Sequence, residues 1–212
     1  MICMLPQFLC LLIGYGFGCV LTAVIVVRCM TGRSVSGFGT GNPGMANVMR
    51  IFGFRAGAAV LAGDLLKTGA ACLICCALFG RASFAGEGLG QLAALWAGLG
   101  AALGHNWPFW RRFRGGKGVA VTCLAIFLFS PVWGLVSDIA GMLVVFITGY
   151  LPLGAVVIVV LFTVFALLFH GTQAALLALV LALIMISRHW PGLIRVLHGT
   201  EERNAQLLKR KQ

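Results

Sequence analysis

Long apolar runs with few or no charged side chains dominate this chain. Residues 3–27 contain no Asp, Glu, Lys or Arg, and five later runs carry at most isolated charges: 56–80, 89–104, 119–148, 154–169 and 172–187. A helix of about 20 apolar residues crosses the roughly 30 Å hydrocarbon core of a bilayer. With 60% hydrophobic and 10% charged residues among 212, a soluble domain could not cover itself with polar groups. The sequence therefore predicts an all-α integral membrane protein.

The runs predict seven transmembrane helices in a single domain spanning 1–212. Their expected bounds are about 3–27, 56–80, 89–104, 119–131, 134–148, 154–169 and 172–187, followed by a basic tail at 188–212. The run 119–148 is long for one crossing and short for two, and Pro131 near its middle would break or kink a helix. We expect two short helices there; one tilted, kinked helix is the alternative.

The positive charge is concentrated in three segments. The net charge is +11, and 14 of the 16 Lys and Arg residues lie in these segments. They are Arg28, Arg33, Arg50 and Arg55; Arg111, Arg112, Arg114 and Lys117; and Arg188, Arg195, Arg203, Lys209, Arg210 and Lys211. Because cytoplasmic loops carry the excess of Lys and Arg, we expect the N-terminus outside, the C-terminus in the cytoplasm, and a first span that is retained, not a cleaved signal peptide. Basic residues in short loops between spans do not indicate nucleic-acid binding.

The first cytoplasmic segment contains a stretch rich in glycine and asparagine. Residues 39–44 read Gly-Thr-Gly-Asn-Pro-Gly, and Asn47 and Arg50 follow. Closely spaced glycines allow backbone N–H groups to face an anion, and arginine adds a planar fork of donors suited to phosphate. A simple turn between two spans is the alternative interpretation.

The second cytoplasmic segment is more specific. His105 and Asn106 open it, and Gly115-Gly116-Lys117-Gly118 closes it before the next predicted helix. Backbone N–H groups at a helix start, together with a lysine, favour phosphate. His105 as a helix-end cap is an equal alternative. Four aromatic residues between these groups are typical of a membrane interface: Trp107, Phe109, Trp110 and Phe113.

Ionisable residues also occur inside predicted spans. Asp64 and Lys67 are three residues apart on one helix face, which favours an ion pair or loop support over direct catalysis. Asp138 and His170 receive no assigned role. Cys72 and Cys75 form a CxxC pair without a second pair, so we expect no metal site.

Together these residues resemble the acyl-phosphate–glycerol-3-phosphate acyltransferases of bacterial membranes. The first stretch is similar to the family's first motif, with Thr40 where serine is usual. Residues 64–69 are similar to Asp-Leu-Leu-Lys-Gly, and Gly-His-Asn-Trp-Pro with Gly-Gly-Lys-Gly is the most specific match. The tail pattern also fits: Arg188, His189, Arg195, Gly199 and Glu201.

The resemblance implies an enzyme that acylates glycerol 3-phosphate from acyl phosphate to make lysophosphatidic acid. It implies catalytic roles for Thr40, Arg50, Lys117 and His189. It implies substrate-binding roles for Gly39, Gly41, Asn42, Gly44, Asn47, Lys67, His105, Asn106, Gly115, Gly116, Arg195 and Glu201, the tail members closing the site. We expect no metal or cofactor, and a monomer in the bacterial cytoplasmic membrane with its site on the cytoplasmic face.

Besides Thr40, the chain departs from the family pattern at five positions. The third motif usually reads Arg-Tyr-x-Ser-Leu-x-Ser, and here Gly149, Pro152 and Ala155 replace the arginine and both serines. Ser36 replaces a first-motif arginine, and Gly192 replaces a tail asparagine. These departures keep open a divergent enzyme that acts on or binds another phosphorylated alcohol. A small transporter with polar groups along its path is the third choice.

Overall fold

Helices form every regular element in the part of the chain that the structure, a computed structural model, describes: residues 4–81 and 89–203. They are α1 (Leu5–Gly18), α2 (Thr22–Thr31), α3 (Met45–Phe52), α4 (Phe54–Phe79), α5 (Leu92–Asn106), α6 (Val119–Phe129), α7 (Pro131–Thr148), α8 (Leu151–Phe169) and α9 (Gly171–Leu197). The basic residues Lys209, Arg210 and Lys211 lie outside the described residues. The all-α prediction is confirmed for the described chain.

Five helical segments are long and apolar enough to cross a membrane. They are Leu5–Thr31, Phe54–Phe79, Pro131–Thr148, Leu151–Phe169 and Gly171–Leu197. The apolar helix α6 has 11 residues and is too short to count among them. Each predicted span nevertheless contains a helix, although α9 continues through Pro191 to Leu197, where we had expected the tail to begin at 188.

The first predicted span is broken, which the sequence did not predict. Helix α1 ends at Gly18, Leu21 is extended with φ −89° and ψ 98°, and α2 begins at Thr22. A break exposes carbonyl groups that have no partner within the helix, and in lipid such groups need a partner within the protein. The ammonium group of Lys67 on α4 supplies it, at 2.7 Å from the Val20 oxygen and 3.4 Å from the Gly18 oxygen.

The chain divides into two compact units, Met1–Phe129 and Ser130–Gln212. In the first unit, small residues allow α1 and α5 to touch backbone to backbone. A Cβ on Gly100 would lie 2.2 Å from the Leu11 oxygen, and one on Gly104 would lie 2.2 Å from the Tyr15 oxygen. Such contacts are typical of helices packed in lipid, where small residues replace the hydrophobic driving force by close van der Waals packing.

In the second unit, α7, α8 and α9 pack in sequence. Ser130 is extended, and α7 begins at Pro131, a position where the missing N–H costs nothing. The run 119–148 therefore forms two separate helices, as expected, and not the single kinked helix that was the alternative. A Cβ on Gly154 of α8 would lie 2.4 Å from the Gly141 oxygen of α7, so these helices also meet at small residues.

Candidate active site

Asn47 organises the first loop. Its Oδ1 accepts from the Thr40 N–H at 3.0 Å and from Arg50 Nη2 at 3.4 Å, while its Nδ2 donates to the Phe38 oxygen at 3.1 Å. The side chain is buried, and a Cβ on Gly39 would lie 2.4 Å from its Oδ1. Gly39, with φ +56°, lets the loop close on this amide. The structure therefore brings Thr40, Asn47 and Arg50 together.

The other predicted members of this loop form the start of α3. Gly44 is the residue before the helix, and its N–H donates to the Asn42 oxygen at 2.9 Å. The Asn42 N–H in turn points to the Thr40 hydroxyl at 3.4 Å. Helix α3 thus begins close to Thr40. Because the residue before it is Gly44, no side-chain hydrogen bond from that position caps its first-turn N–H groups.

The second loop folds back on the end of α5. The Gly116 N–H donates to the His105 oxygen at 2.9 Å, and the Gly115 N–H donates to the Asn106 oxygen at 3.0 Å. A Cβ on Gly116 would lie 2.2 Å from His105 Nε2, so only glycine fits against this imidazole. These amides close the loop, which differs from the expectation that they would bind phosphate. Lys117 follows them, two residues before α6 begins.

A buried cluster of polar side chains at the end of α5 supports the second loop. Lys67 Nζ lies 2.8 Å from Asp64 Oδ1 and 3.0 Å from His105 Nδ1, in addition to its bonds to the helix break. Thr22 donates to the same carboxylate oxygen at 3.2 Å. Since an ammonium group has only donors, His105 Nδ1 accepts, and a neutral ring then carries its proton on Nε2, the nitrogen facing Gly116. This geometry favours a supporting role for Lys67 and His105 over direct substrate contact.

Asn106 lies beside them and is buried. Its side-chain Oδ1 and Nδ2 atoms have no hydrogen-bond partner among the described residues. A Cβ on Gly118 would lie 2.9 Å from that Oδ1. The amide therefore faces the turn that precedes α6.

Aromatic side chains tie the second loop to the break in the first span. The Tyr15 hydroxyl donates to the Trp107 oxygen at 3.0 Å, and Trp110 Nε1 donates to the Cys19 oxygen at 2.9 Å. Phe109 and Phe113 are exposed, as predicted for an interfacial belt. Sequence reasoning missed Tyr15, and it missed Arg111, whose side chain bonds to Ser36 of the first loop. A tyrosine about three turns into an apolar run carries no signal of this kind.

The predicted tail residues lie in the second unit. Arg195 Nε donates to Glu201 Oε2 at 2.5 Å, so these two residues form an ion pair across the end of α9. His189 is fully buried within α9. The structure brings Arg195 and Glu201 together by turning the chain at Gly199, which has φ +67°.

Tail residues also contact the turn between α7 and α8. A Cβ on Gly192 would lie 2.7 Å from Pro152 Cγ. Arg203 lies over the Tyr150 ring, with its Cζ 5.6 Å from the centroid and its Nε 3.5 Å from the hydroxyl. This hydrogen bond raises the pKa of Arg203. The aliphatic part of Arg203 fills the space beside Gly149, 3.1 Å from where a Cβ would be.

A family model described as glycerol-3-phosphate acyltransferase matches residues 8–199. The chain belongs to this family. Glycerol-3-phosphate acyltransferase from Thermoanaerobacter pseudethanolicus is 34% identical over 92% of this chain and 94% of its own length. Glycerol-3-phosphate acyltransferase 1 from Lactobacillus johnsonii is 36% identical over 94% and 93%.

Solved structures of the family have the same fold. PlsY, an integral membrane glycerol 3-phosphate acyltransferase, in its glycerol 3-phosphate form has a TM-score of 0.79, with 26% identity and 99% of both chains covered. Its lysophosphatidic acid form has a TM-score of 0.80, with 26% identity over 95% of this chain and 98% of PlsY.

Within the glycerol-3-phosphate acyltransferase family, two of the positions at which this chain departs from the usual pattern lie against each other. Gly192 and Pro152 replace the usual asparagine and serine, and a Cβ on Gly192 would lie 2.7 Å from Pro152 Cγ, so a side chain at 192 is crowded by the proline ring. Gly149 has φ +79° and replaces an arginine, and Arg203 occupies the space beside it. The two glycines therefore leave room for Pro152 and for Arg203.

Proposed function

We propose that this acyltransferase moves a fatty acyl group from acyl phosphate to the sn-1 hydroxyl of glycerol 3-phosphate, giving lysophosphatidic acid. The observation that carries the proposal is the pair of glycine loops in the first unit, which hold Arg50 and Lys117 without one carboxylate in residues 28–55 or 105–118. Two cationic loops without acidic residues suit substrates that are both anions. The names of the matched relatives and of PlsY support the same reaction.

The chemistry needs little from the protein beyond binding and orientation. The hydroxyl oxygen attacks the carbonyl carbon of a mixed anhydride, an ester forms, and the bond to the phosphate oxygen breaks. Phosphate leaves readily, and the alcohol proton goes to a substrate phosphate or to water. Holding both reactants in register is the main contribution, and such orientation accounts for a barrier reduction of up to roughly 7–11 kcal/mol.

The proposal assigns a role to each group, and the loop contacts within the first unit support these assignments. Arg50 and Lys117 bind phosphate, and the first-turn N–H groups of α6 and α3 add donors. Thr40 and Asn42, at the start of α3, orient the reacting groups. Because the Gly115 and Gly116 amides bond to α5, they position Lys117 and bind no phosphate themselves. For His189, Arg195 and Glu201, a part in substrate handling rests on the sequence pattern alone.

The proposal includes the membrane arrangement. We infer seven crossings in one domain, with the N-terminus outside, the C-terminus in the cytoplasm, and the loops 28–55 and 105–118 on the cytoplasmic face of a bacterial inner membrane. The concentration of Lys and Arg in these loops supports it. The protein acts as a monomer without metal or cofactor. A C-terminal fusion to green fluorescent protein is fluorescent only if the tail is cytoplasmic.

The direct test uses purified protein in detergent with radiolabelled glycerol 3-phosphate and palmitoyl phosphate. Labelled lysophosphatidic acid is expected from the wild type. Lys117→Ala should lose at least about a hundredfold in rate, because a charged phosphate contact is removed. Arg55→Ala, an exposed charge at the start of α4, is the matched control. A folded wild type that forms no product, beside an active homologue, would refute the proposal.

A second candidate is a relative that acylates a different phosphorylated alcohol. The rearranged third motif, with Gly192 against Pro152, favours it. Measuring kcat/KM for a panel of phosphorylated alcohols separates the two candidates. A preference for another acceptor over glycerol 3-phosphate would replace the first candidate with the second.

A further inference from the structure

One side chain joins the two loops. Arg111 Nη2 donates to the Ser36 hydroxyl at 2.8 Å, across 75 positions of sequence. Ser36 belongs to the 3-10 turn Val35–Gly37, and its backbone oxygen lies 3.1 Å from the place a Cβ on Gly41 would occupy. The guanidinium group therefore stands at the edge of the Gly39–Arg50 loop, although it comes from the second loop.

The other terminal nitrogen of Arg111, Nη1, takes no part in the bond to Ser36. Nη1 is buried from solvent and has no hydrogen-bond partner among the described residues. Burial also lowers the pKa of Arg111, since the charged form loses its water. Neither loop contains Asp or Glu in residues 28–55 or 105–118. A buried guanidinium nitrogen without a carboxylate partner is suited to an anion, since burial of an unpaired charge is costly.

The backbone holds this arginine in place. Arg111 ends the turn Phe109–Arg111, and Arg112 and Phe113 follow with φ of 52° and 59°, the only positive φ values at non-glycine residues in the described chain. The Arg111 Cζ also lies 5.9 Å from the centroid of the Trp110 ring, which is itself anchored to Cys19. The guanidinium is thus fixed before any ligand arrives, and a fixed fork loses little entropy on binding.

We propose that Arg111 is a substrate-binding residue whose Nη1 edge takes a phosphate oxygen at the rim of the first loop. The assignment of that phosphate to a substrate rests on the proposed function. It belongs to glycerol 3-phosphate or to acyl phosphate, both of which present a phosphate monoester-like anion. Ser36, where the family motif has arginine, accepts from the guanidinium group that the second loop supplies instead.

The test separates anion binding from a simple link between loops. Arg111→Gln keeps a side-chain N–H for Ser36 but removes the charge, and Ser36→Ala removes the link but keeps the charge. KM is measured separately for glycerol 3-phosphate and for palmitoyl phosphate, with Arg112→Ala as the control for a neighbouring arginine. Each variant's thermal unfolding in detergent is recorded first.

Loss of one charged hydrogen bond predicts a rise in KM of about tenfold to a hundredfold for one substrate in Arg111→Gln, and a similar rise in Arg111→Ala. Ser36→Ala should stay within about threefold, since a neutral hydrogen bond is lost. The substrate whose KM rises identifies the phosphate. If Arg111→Gln matches the wild type, or if Ser36→Ala is as impaired as Arg111→Ala, Arg111 is only a link and the proposal is wrong.

A binding measurement keeps this test independent of catalysis. Inorganic phosphate should raise the unfolding temperature of the wild type and of Arg112→Ala, and should do so at about tenfold higher concentration for Arg111→Gln. Equal phosphate responses in all three proteins would overturn the assignment of Arg111. A wild type that responds to phosphate but forms no product would leave this site standing and refute the proposed function instead.

Discussion

Lys67 Nζ lies 3.0 Å from His105 Nδ1, and this contact connects the broken first span with the second loop. The same ammonium group also donates to the Val20 oxygen, at the helix break, and to the Asp64 carboxylate. On the other side, His105 packs its Nε2 edge against Gly116. The helix break between α1 and α2, the ion pair on α4 and the loop that follows α5 therefore form one continuous support.

Removing the Lys67 ammonium should destabilise the first unit. Lys67→Met leaves the Asp64 carboxylate buried without its cation and two break carbonyls without a donor, at a cost of about 3–5 kcal/mol. Lys67→Met combined with Asp64→Asn should recover part of this loss. Thermal unfolding in detergent measures both. An unchanged unfolding temperature in Lys67→Met would show that the cluster does not support the fold.

Gly116→Ala should inactivate the enzyme while leaving the helices intact. The new methyl group would lie 2.2 Å from His105 Nε2, so the loop must move and Lys117 moves with it. We expect a loss of about a hundredfold or more in kcat/KM, as for misplaced substrate-positioning groups. Gly69→Ala is the matched control, because its methyl group would meet only Leu124 at an ordinary 3.7 Å. Equal activity in the two variants would contradict the role assigned to this contact.

Both polar atoms of the Asn47 side chain, Oδ1 and Nδ2, should be needed for full stability and activity. Asn47→Ala removes the acceptor for Thr40 and Arg50 and the donor to Phe38, with an expected loss of about 1–3 kcal/mol in stability for the buried groups left unpaired. Asn47→Asp keeps the acceptor but loses the donor, so it should retain more activity than Asn47→Ala. Kinetics on folded protein checks the order. The reverse order would show that the bonds accepted by Oδ1 are not what the site requires of Asn47.

Gly192 and Pro152 should depend on each other. Gly192→Asn places its Cβ 2.7 Å from Pro152 Cγ and should lower the unfolding temperature, since overpacking costs about 1–3 kcal/mol. Adding Pro152→Ser removes the ring and should restore most of the loss. A double-mutant cycle measures this coupling. Additive effects would mean that the two departures are independent.

The apolar runs predicted helices where helices occur, because a backbone in lipid has few other ways to pair its N–H and C=O groups. Pro131 predicted the break within the run 119–148 for a similarly local reason, the missing proline N–H, although α7 begins at Pro131 itself and not near residue 134. The break at residues 19–21 escaped prediction, because this stretch is as apolar as its flanks and the lysine that stabilises it lies on another helix.

In the site, too, local patterns predicted some features and contacts between helices decided others. Glycine spacing and the Gly-Gly-Lys-Gly pattern were enough to locate both loops in the sequence and to predict them as phosphate-binding segments, since few functions need such backbone freedom beside basic residues. The direction of each group was not predictable. The glycine spacing predicts that the Gly115 and Gly116 amides face phosphate, whereas in the structure they bond to α5. The hydrogen bond from Arg111 to Ser36 spans 75 positions and has no local signal.

The sequence by itself determined the helical class, the location of both loops and the family to which the chain belongs. These properties depend on residue type and on spacing within one segment, which the order of residues states directly. Tertiary structure alone decided that Lys67 supports a helix break, that His105 presses on Gly116, and that Arg111 reaches the first loop. Each of these contacts joins groups from separate helices, and close packing between helices, not local preference, brings such groups within hydrogen-bond distance.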